Sequence, residues 1–162
     1  MTSFKFGDFA IMKKITYLII VLIGFIACKK DNVETKPTLK LESMSSEFVP
    51  RNQNLSLTFT FTDKEGDISD SIFMIRTRLN RRGPLTRAAI PYKVPEFPSK
   101  SKGEIVLELD YRLDITTGIP ALSVQGNNTQ REPDTLQLKF VLRDKAKNLS
   151  DTAVANVIVE RF

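Results

Sequence analysis

The sequence predicts an all-β protein: a single antiparallel β-sandwich of about seven strands, carried behind an apolar N-terminal segment. Three observations predict it. After residue 37, apolar and polar residues alternate in several runs, as half-buried strands require. No stretch in that region keeps a helical period. Without its first 27 residues the 162-residue chain is long enough for one domain with its own core and too short for two.

Met12-Lys13-Lys14 leads into the apolar run Ile15–Ala27, which ends at Cys28. A positive start, a short apolar stretch and small residues before a cut are the parts of an export signal. At 13 residues the run is shorter than the ~20 needed to cross a bilayer as a permanent helix. Phe4, Phe6 and Phe9 do not extend this pattern, so Met12 is a better start than Met1. Phe25-Ile26-Ala27-Cys28 resembles the bacterial lipobox, with Phe25 where Leu is usual. That resemblance implies a helical signal peptide over residues 1–27, cleaved before a Cys28 that carries a diacylglyceryl group and further acyl chains. Two or more chains give stable membrane anchoring where one gives marginal binding.

Residues 28–37 are polar and end in Pro37, the composition of a flexible tether. The nine residues after Cys28 reach ~30 Å when extended. Asp31 and Glu34 resemble the surface-export signal of some Gram-negative lipoproteins, interrupted here by lysines. The address implied is the outer membrane, facing either the periplasm or the cell surface.

The domain occupies residues 38–162. Leu39 and Leu41 begin the alternation, and Leu55, Leu57, Phe59 and Phe61 oppose Ser56, Thr58, Thr60 and Thr62 in its clearest run. Phe73, Ile75 and Leu79 are expected to face the core with Arg76 and Arg78 opposite. Ile105, Leu107, Leu109 and Tyr111 predict another strand, as do Leu136, Leu138, Phe140 and Leu142. Ala153, Ala155, Val157 and Val159 predict the last. Between them, Ile119, Leu122 and Val124 suggest a short strand or a lip over the core.

Two segments carry a further resemblance. Phe59-Thr-Phe-Thr-Asp-Lys-Glu-Gly-Asp67 is similar to the end of strand B and the following turn of bacterial immunoglobulin-like domains. Val141-Leu-Arg-Asp-Lys-Ala-Lys-Asn-Leu-Ser-Asp-Thr152 resembles their last hairpin, with Lys147 at a position usually held by Gly. The resemblance implies an immunoglobulin-like or fibronectin-III-like sandwich, and a fold of this kind carries no particular function. In such a sandwich the first strand starts near the two acidic loops, so a lipid tether would turn them toward the membrane.

Composition narrows the chemistry. The chain has no His and no Trp, and its one Cys is the lipidation candidate. Ser-His-Asp and Cys-His catalysis, His-based zinc sites and disulfides are thereby excluded. Loss of residues 1–27 leaves 21 basic and 18 acidic residues, a net charge of +3 instead of +5, which argues against nucleic-acid binding.

Asp63, Glu65, Asp67 and Asp70 crowd one predicted turn, and Asp144, Asn148 and Asp151 sit in another. If the loops meet, their hard oxygen ligands suit Ca²⁺, although Asp, Asn and Gly are also ordinary turn formers. Arg76, Arg78, Arg81, Arg82, Arg87, Lys93, Lys100 and Lys102 stand against the single acid Glu96. Such segregation suits a contact surface for an anionic glycan, an acidic envelope protein or lipid headgroups, or else a solvated loop. Asp70-Ser71-Ile72, Asp134-Thr135-Leu136 and Asp151-Thr152-Ala153 resemble acceptors of a bacterial periplasmic O-glycosylation system, and each also begins a strand. A carboxylate-dependent hydrolase acting on envelope or glycan substrates would rest on a pair such as Glu108 and Asp110. The expectation is a lipid-anchored envelope module for binding or structure, not an enzyme.

Overall fold

A computed structural model describes residues 36–162. Cys28, the expected signal segment 1–27 and the expected tether up to residue 35 lie outside the described residues. The described chain is mostly β: β1 Thr38–Met44, β2 Phe48–Val49, β3 Leu55–Thr62, β4 Ser71–Arg78, β5 Leu85–Thr86, β6 Ile90–Lys93, β7 Lys102–Leu109, β8 Ser123–Val124, β9 Asn127–Arg131, β10 Asp134–Arg143 and β11 Ala153–Val159. One sheet has the order β1-β3-β7. A larger one runs β2-β11-β10-β4-β5, with β6 also on β4, and β8 and β9 form a separate hairpin. Neighbours are antiparallel except β2, which runs parallel to β11.

Strict alternation explains β3, β10 and β11, whose inward residues Leu55, Leu57, Phe59, Phe61, Leu136, Leu138, Phe140, Leu142, Ala153, Ala155, Val157 and Val159 are all buried. The inner faces of the two large sheets meet at Phe59 and Phe140, whose ring centroids are 4.8 Å apart. In β1 the register slips between Leu41 and Ser43, a bulge that ends the clean alternation of that strand.

Three expectations are corrected. In β4 the inward residues are Ile72, Met74, Arg76 and Arg78, while Phe73 and Ile75 lie on the other face, half-buried. Alternation identifies the strand but not which face is inside, and Phe73 finds cover outside the core, with the Arg143 guanidinium 4.7 Å from its ring centroid. Tyr111 has left the strand: β7 ends at Leu109, and Tyr111–Ile115 forms one turn of π-helix. Asp110 starts that turn by accepting from the backbone N–H groups of Arg112 and Leu113, both at 2.7 Å. The stretch from Arg76 to Lys102, with a contact surface or a solvated loop as the two expectations, completes β4, contributes β5 and β6 to the edge beside it and packs Phe97 against Phe61.

Lys147 lies at φ 72°, in the left-handed region where Gly is at ease and other residues pay ~1–2 kcal/mol. The position therefore has the backbone conformation that the usual Gly of the resembled hairpin would favour.

Candidate acidic site and the buried arginines

The acidic end is built by strand parity carried one step too far. Asp63 follows Phe61 by two residues and Asp144 follows Leu142 by two, so both continue the inward face beyond the last apolar side chain. Asp63 is 3% exposed and Asp144 is 0% exposed. Asp63 accepts from the Asp67 N–H at 2.9 Å through Oδ2, which closes the turn after β3. Gly66, at φ 67°, permits this turn, and a Cβ there would stand 2.9 Å from the Lys100 backbone nitrogen. Asp144 accepts from Asn148 N at 2.7 Å and from Asn148 Nδ2 at 2.8 Å, folding its own hairpin back. The Lys145 N–H donates to the Asp67 carbonyl at 3.0 Å and ties the two loops together.

Carboxylate oxygens of Asp63, Asp67 and Asp144 thus lie within 4.8 Å of one another. Oδ1 of Asp63 and Oδ1 of Asp67 are buried without a hydrogen-bond partner. Burial first, then the charges of Asp144 and Asp63, push the Asp67 carboxyl above its usual range. Glu65 is not part of the cluster; its side chain is exposed at the tip of the turn.

Asp70 has the opposite surroundings. Arg143 Nε and Lys147 Nζ each donate to it at 2.8 Å and hold its carboxyl down at about 2. A depressed pKa contributes stability that is complete above the unfolded value and is lost as pH falls through the folded one. We therefore expect the acid limb of a thermal-stability profile, between about pH 4 and pH 2, to flatten in Asp70→Asn. Melting curves of both proteins across that window provide the check.

The proposed basic contact surface does not hold together as one patch. Arg76 and Arg78 are 3% and 5% exposed. Arg76 Nη1 donates to the carbonyls of Asp114, Ile115 and Thr117 at 2.6, 3.1 and 2.9 Å. Arg78 donates to Gly83 O and Pro120 O, both at 2.6 Å, and lies 3.4 Å from Asp134 Oδ1. The irregular segment after β7 has carbonyls that no ladder satisfies, and inward guanidinium groups supply the donors. Arg82 is paired with Glu132. Lys102 lies on β7 in the three-stranded sheet, whereas Arg81 and Arg87 lie in the loops on either side of β5, at the edge of the larger sheet. Arg81, Arg87, Lys93 and Lys100 are exposed, as is Lys102.

A second buried charge centre joins Arg78 and Asp134, expected in a contact surface and an acceptor-like tripeptide, to Arg161. Asp134, at the start of β10, is 0% exposed and sits 3.4 Å from Arg78 Nη1 and 3.2 Å from Arg161 Nε. Burial raises its carboxyl above the usual range against the pull of both cations. Asn80 completes the surroundings, accepting from Thr135 N at 2.8 Å and donating to Glu132 Oε1 and Pro133 O at 2.9 Å. Parity was the available signal: Asp134 precedes Leu136 and Arg161 follows Val159 by two residues each, on the inward face.

The Glu108 and Asp110 pair is not convergent chemistry, since Glu108 is exposed and one Asp110 oxygen is committed to the two N–H groups it caps. A cleft of about 210 Å³ is lined by Tyr111, Arg112, Thr116, Ala121, Arg161 and Phe162, with no acidic side chain. Of the three acceptor-like tripeptides, Thr135 and Thr152 are exposed and Ser71 is half-buried.

No family model matches the chain. No curated protein matches it in sequence. Among solved structures, it is similar to a β-glucosidase from Listeria innocua (13% identity, TM-score 0.43), covering 80% of this chain and 16% of that one. The sporulation control protein Spo0M of Bacillus subtilis aligns with 78% of this chain and 50% of its own at 9% identity and TM-score 0.46. A Niemann-Pick type C2 protein from Japanese carpenter ant aligns with 76% of this chain and 93% of its own at 12% identity and TM-score 0.39. The chain thus spans about a sixth of the glucosidase and half of Spo0M, and similarity this distant assigns no activity.

Proposed function

We propose that this chain is a lipid-anchored module of a Gram-negative cell envelope, an immunoglobulin-like sandwich that binds or supports a partner and catalyses nothing. The observation that carries the proposal is Cys28 directly behind Lys13, Lys14 and the apolar run Ile15–Ala27. The immunoglobulin-like assignment is supported by the strand orders β1-β3-β7 and β2-β11-β10-β4, which correspond to A-B-E and A′-G-F-C of such domains. Burial of Asp63 and Asp144 argues against the hydrolase alternative at that end, because a substrate does not reach carboxylates 3% and 0% exposed.

Thr38 lies opposite Thr62 in the β1–β3 ladder, and Lys36 is ion-paired with Asp151, so the tether joins the domain at its acidic end. On the lipoprotein proposal that end faces the lipid. Arg81, Arg87, Lys93, Lys100 and Lys102 are then the exposed basic residues left to contact an anionic glycan or an acidic envelope protein. Cys28→Ser is expected to move the full-length protein from the membrane fraction to the soluble envelope fraction. Its persistence in the membrane pellet would overturn the lipid anchor.

A further inference from the structure

We propose that Asp63, Asp67 and Asp144 form a Ca²⁺-binding site between the loop after β3 and the hairpin after β10. The inference goes beyond the envelope proposal and does not depend on the anchor. Its starting point is a cost that the protein alone leaves uncompensated. Asp63 is 3% exposed, yet its Oδ1 has no hydrogen-bond partner, and Oδ1 of Asp67 is likewise buried and unpartnered. Removing carboxylate oxygens from water without a donor or a counter-charge is expensive. Among the described residues no lysine or arginine is ion-paired with Asp63, Asp67 or Asp144: Arg143 and Lys147 are committed to Asp70, and Lys64 and Lys145 are exposed. The charges that act on Asp67 are those of Asp144 and Asp63, both repulsive.

The geometry fits the ion. Calcium takes oxygen ligands at ~2.3–2.6 Å, so two oxygens on opposite sides of it stand ~4.6–5.2 Å apart and all others are closer. Three carboxylate oxygens within 4.8 Å of one another satisfy that limit. Ca²⁺ accepts flexible geometries of about 6–8 oxygens, which suits carboxylates supplied by two separate loops better than the near-ideal octahedron that Mg²⁺ demands. The donor set is oxygen only, which favours a hard cation. Asn148 already orients Asp144 through two hydrogen bonds, and such outer partners commonly fix a ligand in place. The Lys145 to Asp67 hydrogen bond holds the loops together before an ion arrives.

The rival occupant is a proton shared between Asp63 and Asp67, and calcium titration separates the two. The full-length chain in detergent at pH 7 is titrated calorimetrically with CaCl₂ and melted in millimolar calcium or in EGTA. We expect saturable binding and a melting temperature on the order of 5 °C higher with calcium. Asp67→Asn is expected to abolish both responses while raising the calcium-free melting temperature, because one repulsive charge is gone. Asp70→Asn, in the same loop but outside the cluster, is expected to keep the full calcium response. No binding heat together with identical melts in calcium and EGTA would overturn the proposal in favour of the shared proton. Equal loss of the response in Asp70→Asn and Asp67→Asn would also overturn it, in favour of diffuse ion accumulation at an acidic end.

Discussion

Asp134→Ala is expected to cost about 3–5 kcal/mol, because it leaves the guanidinium groups of Arg78 and Arg161 buried without a counter-charge. Both arginines are under a tenth exposed, and the carboxylate between them is wholly buried. The two cations also hold the carbonyls of Gly83, Pro120 and Ile119, so they cannot turn outward without releasing those groups. Urea unfolding gives the measurement: a lower midpoint with an unchanged slope would report lost native stability. A midpoint shift worth less than about 1 kcal/mol would mean that the arginines are satisfied by the carbonyls alone. Surface pairs set the scale of contrast. Arg51 with Glu160 is exposed on both sides, and its removal should change little.

Phe140→Ala is expected to cost a similar ~3–5 kcal/mol, through lost burial and the cavity left opposite Phe59. Phe140 is 0% exposed at the centre of the contact between the two large sheets. The informative control is Phe73→Ala in the neighbouring strand β4. Phe73 is the same residue type, yet it lies on the outer face beneath Arg143, so its truncation should cost no more than ~1 kcal/mol. Equal losses at Phe73 and Phe140 would contradict the inward phase of β4 described by Ile72, Met74, Arg76 and Arg78.

That phase separates what a linear pattern reveals from what it cannot. Period-2 alternation in Leu55–Phe61, Leu136–Leu142 and Ala153–Val159 was enough to locate β3, β10 and β11 and to name their buried residues. In β4 both faces carry apolar residues, Ile72 and Met74 on one and Phe73 and Ile75 on the other. Local sequence then leaves the choice of core face to polarity, which points Arg76 and Arg78 outward. The fold reversed it because the segment after β7 crosses that end of the sheet with unsatisfied carbonyls, and the three that Arg76 serves belong to residues more than thirty positions away.

The acidic site was half visible. Asp63, Asp67 and Asp144 stand in turns that composition marks as acidic, and parity already places Asp63 and Asp144 on the inward side. Glu65 belongs to the same run of acids and differs only by pointing to solvent at the turn's tip. The Asp70 contacts with Arg143 and Lys147 join residues over seventy positions apart, beyond the reach of any local pattern.

By itself, then, the sequence determined that the chain is a β protein, which strands alternate cleanly, and that a single Cys follows an apolar run behind two lysines. Those properties live in residue type and spacing, which the backbone reads locally. Only the tertiary structure decided which charges are internal. Burying Arg76, Arg78, Asp134 and Arg161, and bringing Asp63 and Asp67 to Asp144, depends on which loops meet at each end of the sheets. Desolvation and hydrogen-bond partnership are properties of that meeting, not of any one segment.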